Sequence, residues 1–254
     1  ESPEMTIEGW AAGVVGTITE DLALYADAQG NQSPMIQTTF ATALYGGTTI
    51  KNKNGRLMRL DLVLPVYPHV HAPWTDFQSA ALGDMELRAV IPIGNVENNF
   101  KFAMVPSLGL PTGTKEAFLH TGWHTSVTGA FSGTTNFDLE LVGNLGLTLA
   151  PRDDVEGIAT GSMVSVVAGA AYPLSDLLRV GGELDARFGL VGDDIRFNRL
   201  LGGHLFAQQH HPSGIGLTVG LGTGLLDGIG SPDFRFFTAL SFAPILSDRD
   251  GDGL

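Results

Sequence analysis

The chain has 254 residues, of which 43% are hydrophobic and only 16% are charged, and its formal net charge is −13. This composition is too apolar and too poor in charge for an ordinary soluble domain. The absence of cysteine excludes disulfides and thiolate metal sites, and the acidic balance argues against nucleic acid as a partner. No segment approaches the roughly 18 to 20 continuous apolar residues of a membrane helix.

Stretches in which apolar and polar residues alternate follow one another along the chain. The clearest, in chain order, are RLMRLDLVLPV, LGDMELRAVIPI, NFDLELVGNLGLTLA, LLRVGGELDARFGL and DFRFFTALSF. A period of two indicates extended strands with one apolar and one polar face. The polar faces carry the charged residues Arg59, Asp61, Asp84, Glu86, Arg88, Asp138, Glu140, Arg179, Glu183, Asp185, Arg187 and Arg235.

Weaker copies of the pattern raise the expected number of strands to about twelve, and the connections between them alternate between short and longer segments. Strands of 9 to 11 residues suit a tilted crossing of a bilayer, and short turns at one rim with longer loops at the other are typical of transmembrane barrels. The sequence therefore predicts an all-β, antiparallel up-and-down barrel over residues 1–246. A soluble sandwich is the alternative, but the polar faces contain few lysines and the apolar faces are long.

If the polar faces point inward, the twelve charged residues lie in the lumen with nearly balanced signs. We expect most of them to form salt bridges across the inner wall, and the alternative is a path for ions or substrates. A barrel of twelve strands is wider than the eight-stranded type that side chains fill, yet smaller than an open porin.

Two groups of residues raise the question of metal binding or catalysis. His69 and His71 are spaced like two metal ligands, but zinc needs three or four converging ligands, so we interpret them as loop histidines. Ser126 and His124 share the inward face, but no nucleophile-elbow motif surrounds the serine. An outer-membrane hydrolase is therefore the third functional hypothesis, and we expect the chain not to be an enzyme.

The C-terminal stretch GLGTGLLDGIGSPDFRFFTALSFAP, followed by SDRDGDGL, resembles the end of the barrel in large OmpA-family proteins, especially those of myxobacteria. The matching positions are Gly230, Pro232, Phe234, Arg235, Pro244, Asp248, Asp250 and Asp252. In that family a calcium-binding linker of the thrombospondin type 3 kind and a peptidoglycan-binding domain follow the barrel. The resemblance implies that residues 247–254 begin such a linker, with Asp248, Asp250 and Asp252 as an incomplete calcium site, and that the chain continues beyond them.

The function that this resemblance implies is an anchor or scaffold in the outer membrane of a Gram-negative bacterium. It would contact outer-membrane lipids, reach the peptidoglycan through a further C-terminal domain, and present its loops to an outer-membrane or surface protein. The stretches LGDMELRAVIPIG and PSLGLPTG also resemble barrels that transport hydrophobic compounds. A channel or transporter for small hydrophobic compounds is therefore the alternative function.

Overall fold

The computed structural model describes residues 5–26, 32–52, 57–72, 76–93, 99–114, 122–155, 158–190, 199–226 and 233–243. These residues form fifteen β-strands. The strands are β1 (Met5–Ala26), β2 (Gln32–Asn52), β3 (Leu57–Ala72), β4 (Phe77–Leu82), β5 (Met85–Ile93), β6 (Phe100–Leu110), β7 (His124–Thr134), β8 (Glu140–Leu149), β9 (Asp153–Val155), β10 (Ile158–Thr160), β11 (Met163–Pro173), β12 (Leu178–Gly189), β13 (Arg199–His210), β14 (Ile215–Leu226) and β15 (Phe234–Phe242).

Thirteen of these strands form one antiparallel sheet. The sheet closes on itself because its first strand, β1, pairs with the last, β15, as well as with β2. Both β4 and β5 pair with β3, one after the other along its length, so the two occupy a single position in the wall. The closed sheet is therefore a barrel of twelve strand positions. The small hairpin β9–β10 forms a separate two-stranded sheet. The predicted all-β barrel and its number of strands are confirmed.

The wall is interrupted between β4 and β5, at Gly83 and Asp84. Two threonine hydroxyl groups bridge this break. That of Thr112 accepts a hydrogen bond from the amide of Met85 (2.8 Å), and that of Thr114 accepts one from the amide of Leu82 (3.0 Å). The amide of Gly113 donates to the Asp84 carboxylate at 2.7 Å. Asp84, which the sequence predicted on a strand in the lumen, thus holds the segment after β6 against the break.

The two ends of the barrel differ in their connections. At one end, the short-turn end, residues 135–139, 174–177 and 211–214 join neighbouring strands. At the other, the long-loop end, the segment that carries β9 and β10 lies between β8 and β11, and longer stretches of sequence separate β6 from β7 and β12 from β13. Strand β1 begins and β15 ends at the short-turn end, as the even number of strands requires.

The outer surface of the barrel is an apolar belt. Alternate residues of almost every strand are large hydrophobic side chains that remain exposed, among them Leu145, Leu184 and Leu221. Water would not stabilise such a surface, whereas the hydrocarbon of a bilayer would, and a closed barrel leaves no strand edge unpaired in lipid. In the described part of the chain, no helix is long and apolar enough to span a membrane.

Two tryptophans lie at the margins of this belt. Trp10 is exposed and its ring lies 5.4 Å from that of Phe242, while Trp123 is exposed just before β7. Such residues suit the interface between lipid and water. Tyr45 and Tyr67, however, have the same parity as the lumen residues, so their rings do not belong to the belt.

Two predicted strand boundaries shift in the structure. Asp138 lies in the turn between β7 and β8, with a positive φ of 63°, and strand β8 begins only at Glu140. The amide of Leu139 and the side chain of Thr135 close this turn with a hydrogen bond of 3.1 Å. His69 and His71, predicted in a loop, lie within β3, which extends to Ala72.

Candidate channel lumen

Three pairs of opposite charge line the lumen in the half of the barrel nearer the short-turn end. Within β3, the guanidinium of Arg59 donates to Asp61 from Nε (2.9 Å) and from a terminal nitrogen (2.8 Å). Within β5, Arg88 donates to Glu86 at 2.6 Å. Arg179 on β12 reaches across β11 and donates to Glu140 on β8 at 2.8 Å. In this half of the lumen, each of these arginines has its own carboxylate.

Water reaches these pairs, since the side chains of Arg59, Arg88 and Arg179 are 50%, 42% and 38% exposed. Because they face inward, this exposure is to the lumen. Ion pairs of this kind contribute little to stability, typically below about 1 kcal/mol. They are separate local pairs, and their role as a network that braces the wall stays a prediction.

A second cluster lies nearer the long-loop end, on β12, β13 and β15. His204 Nε2 lies 2.6 Å from Asp185 Oδ1, and a terminal nitrogen of Arg235 lies 3.4 Å from the same imidazole nitrogen. Asp185 is 7% exposed. Glu183 is paired with His204 in the register of β12 and β13 and therefore faces the same side. The charges of this cluster are more enclosed than the pairs nearer the short-turn end.

Glycines on β14 make this cluster possible. The inward positions of that strand include Gly220 and Gly222, and a methyl group on either would overlap a neighbouring ring. The ring over Gly220 is that of Phe237, from β15, and the ring over Gly222 is that of His204, from β13. The two rings meet edge to face with their centroids 6.0 Å apart. Both rings therefore lie along the wall and do not extend across the lumen.

The same arrangement recurs elsewhere around the wall. Tyr45 on β2 lies over Gly13 on β1, and Phe206 on β13 lies over Gly181 on β12, where an added methyl would be 2.6 Å from the ring. Together with Phe237, these rings give the inner wall from β13 to β2 an aromatic surface.

A prediction follows from the close contact at Gly220. Gly220→Ala should lower the stability of the folded barrel by about 1–3 kcal/mol, because the methyl group must displace the Phe237 ring. Gly16→Ala is the matched control, since its methyl group would be 3.6 Å from the nearest atom, an ordinary contact. Thermal unfolding in detergent, followed by circular dichroism, measures both. Equal melting temperatures for the two variants would contradict the close packing at Gly220.

The lumen is filled toward the long-loop end. Inward side chains there are almost completely buried: Thr19, Thr39, Val70, Ala72, Ala81, Asp185 and Leu200 are all at most 7% exposed. Tyr67 lies at this level, where its ring is next to Gly83 at the break in the wall. It is also close enough to Arg187 for the charge of the guanidinium group to influence the phenol. Because β3 and β12 are six positions apart among twelve, these two residues approach each other from opposite walls.

The serine and histidine considered for hydrolysis do not form a catalytic pair. The hydroxyl of Ser126 lies 2.7 Å from that of Ser107, and His124 Nδ1 lies 3.0 Å from the carbonyl of Gly122. Among the described residues, no three histidine, aspartate or glutamate side chains converge as a metal site. Asp248, Asp250 and Asp252 lie outside the described residues, so the calcium linker stays a prediction.

The sequence missed two features of the lumen. Tyr67 has the inward parity of Arg59 and Asp61, which could have identified it, but a bulge after it in β3 hides the pattern. The contact of His204 with Asp185 joins residues 19 positions apart. The inward parity of Asp185 and of His204 predicts that each faces the lumen, whereas the contact between them depends on how β12 and β13 align.

No protein-family model matches the chain, and no curated protein matches its sequence. Among solved structures, the chain is similar to an outer membrane channel from Pseudomonas putida F1, with a TM-score of 0.74 at 14% identity over 96% of this chain and 98% of that one. It is also similar to the NanC porin, with a TM-score of 0.58 at 10% identity over 92% of this chain and 100% of that one. The translocator domain of the autotransporter NalP from Neisseria meningitidis gives a TM-score of 0.51 at 12% identity, over 94% of this chain and 88% of that domain.

At these identities the likeness concerns the fold, which is that of outer-membrane barrels. The predicted location in the outer membrane of a Gram-negative bacterium agrees with this fold and with the apolar belt. The more specific resemblance to the OmpA family has no support from a family model and stays a prediction.

Proposed function

We propose that the chain forms a channel that lets small, partly apolar molecules cross the outer membrane. The observation that carries this proposal is the lumen itself. Tyr45, Phe206 and Phe237 lie along the wall over glycines, and the charged side chains near the short-turn end are exposed to the inside. A barrel that serves only as a membrane anchor has no need of an open, water-filled interior.

The inner wall supports permeation of compounds with an apolar surface. Between the level of Arg235 and that of Thr49, the inward side chains of β14, β15, β1 and β2 carry no charge and include Phe237 and Tyr45. Hydroxyl groups of Ser107 and Ser126 lie on the far side of the lumen. A molecule with one apolar and one polar face could therefore contact both walls as it passes.

The likeness to a channel and a porin also supports transport over the anchor function that the C-terminal resemblance implied. Anchoring would depend on residues 247–254 and on a peptidoglycan-binding domain after them. The scaffold role and the surface-protein partner likewise remain hypotheses, and we place them second.

Planar-bilayer recording of the purified barrel tests the proposal. We expect small, stable current steps after insertion, because the lumen is lined by exposed side chains nearer the short-turn end and is packed tightly near Tyr67. Heat-denatured protein in the same detergent is the control. Folded protein that inserts but passes no current, with folding verified by its heat-dependent mobility on a gel, would contradict the channel and favour the anchor.

A further inference from the structure

The arginines of the lumen fall into two groups. Arg59, Arg88 and Arg179, nearer the short-turn end, each donate to a carboxylate at 2.6–2.8 Å. Arg187 and Arg235, nearer the long-loop end, form no ion pair within 4.0 Å with any residue that the structure describes. The lumen arginines without an ion pair thus lie toward the narrow part of the lumen.

These two arginines lie in one neighbourhood although they belong to different strands. Arg187 faces inward from β12, where it is paired with Ser165 of β11. Arg235 comes from β15 and reaches over Gly222 of β14 to His204 on β13. The charges of both arginines act on Asp185, and they also act on each other. The glycines on β14 thus allow side chains from β12 and β15 to gather at one place.

The nearby carboxylates lie on the side of His204. Asp185 Oδ1 is 2.6 Å from the imidazole, and Glu183 is paired with His204 in the register of β12 and β13. Arg235 Nε is buried and has no hydrogen-bond partner among the described residues. A partly enclosed guanidinium group without its own carboxylate is costly, and an anion bound between Arg235 and the more exposed Arg187 would offset this cost.

We propose that Arg187 and Arg235 form an anion-binding site at the narrow part of the lumen, which takes the carboxylate group of a small organic acid. Guanidinium groups hold carboxylates through charge-assisted, often paired hydrogen bonds. The phenol of Tyr67, on the opposite wall, is a further donor at the same level. The apolar part of the acid would lie against Phe237, next to the cluster.

This proposal rests on the proposed channel function and adds that the permeating compound carries a negative charge. It predicts that the channel prefers anions, although the lumen as a whole contains both signs. The paired arginines near the short-turn end add little net field, because each is offset by its neighbouring carboxylate. At the narrow part of the lumen, the two arginines without an ion pair should therefore set the selectivity.

Reversal potentials in a potassium chloride gradient test this prediction on the purified barrel. The unaltered protein should favour chloride over potassium, and Arg187→Gln with Arg235→Gln should reduce that preference by about threefold or more. The matched control is Arg179→Gln with Glu140→Gln, which removes one ion pair from the lumen without changing its net charge. A channel whose selectivity is the same in all three proteins would overturn the anion site while leaving the channel function intact.

A binding measurement keeps the site testable even if the barrel passes no current. Sodium propionate should raise the melting temperature of the barrel in detergent above that in sodium chloride at equal ionic strength. The double arginine variant should lose this difference, and the control variant should keep it. Equal melting temperatures in both salts for the unaltered barrel would overturn the site. A silent bilayer with intact propionate binding would instead reject only the channel function.

Discussion

Leu205→Arg is expected to prevent stable insertion of the barrel into a membrane. Leu205 is 72% exposed on the outer face of β13, and it is paired with Gly182 and Leu221 in the middle of the apolar belt. An arginine that faces lipid at the midplane of a bilayer costs about 2–4 kcal/mol. Because folding of such a barrel is coupled to insertion, the folded fraction should fall sharply.

Folding into liposomes, followed by the heat-dependent shift on a gel, measures that fraction. Gln208→Arg is the control, since Gln208 is on the same strand but faces the lumen, where its amide donates to Thr218 at 3.3 Å. This variant should fold and insert almost as well as the original barrel. If Leu205→Arg folds equally well, the outer face of β13 does not contact lipid.

The sequence predicted the fold and the facing of residues well, because the membrane imposes a strict pattern. Lipid outside and water inside require alternation along each strand, and a slip by one residue would move every apolar side chain to the wrong face. Arg59, Glu86, Arg187 and Arg235 accordingly lie on the opposite face of their strands from exposed residues such as Leu60, Leu87 and Phe188. Periodicity alone was sufficient for this part of the structure.

The boundaries and the contacts within the lumen could not be predicted in the same way. Asp138 fits the alternation of β8, but a turn that Thr135 closes needs it in a left-handed conformation. The break at Gly83 is stabilised by Thr112 and Thr114, about thirty residues later. Arg235 and His204 are 31 residues apart and meet through the register of three strands. These features depend on pairing partners, which alternation does not specify.

The glycine content also acquires a specific meaning in the structure. Close strand packing and tight loops are the general roles that a content of 34 glycines indicates. On β14, Gly220 and Gly222 instead determine where the rings of Phe237 and His204 lie, and therefore how much of the lumen stays open. The width of the lumen is thus set partly by these two glycines, over which the rings lie.

Tyr67→Ala should increase the conductance of the barrel about twofold or more, because the narrowest section of a pore dominates its resistance. Tyr67 lies where the inward residues are almost completely buried, and it faces Arg187 from the opposite wall. Removal of the ring there widens the limiting section. Single-channel recording at fixed voltage and salt concentration measures the change directly.

Two variants separate the size of the ring from other effects. Tyr45→Ala removes an equal ring that already lies flat over Gly13, in a section that is not limiting, so conductance should change much less. Tyr67→Phe keeps the ring and loses only the hydroxyl, so it should conduct like the unaltered barrel. Equal conductance in Tyr67→Ala and the unaltered barrel would place the narrowest point elsewhere, because the resistance would then not depend on this side chain.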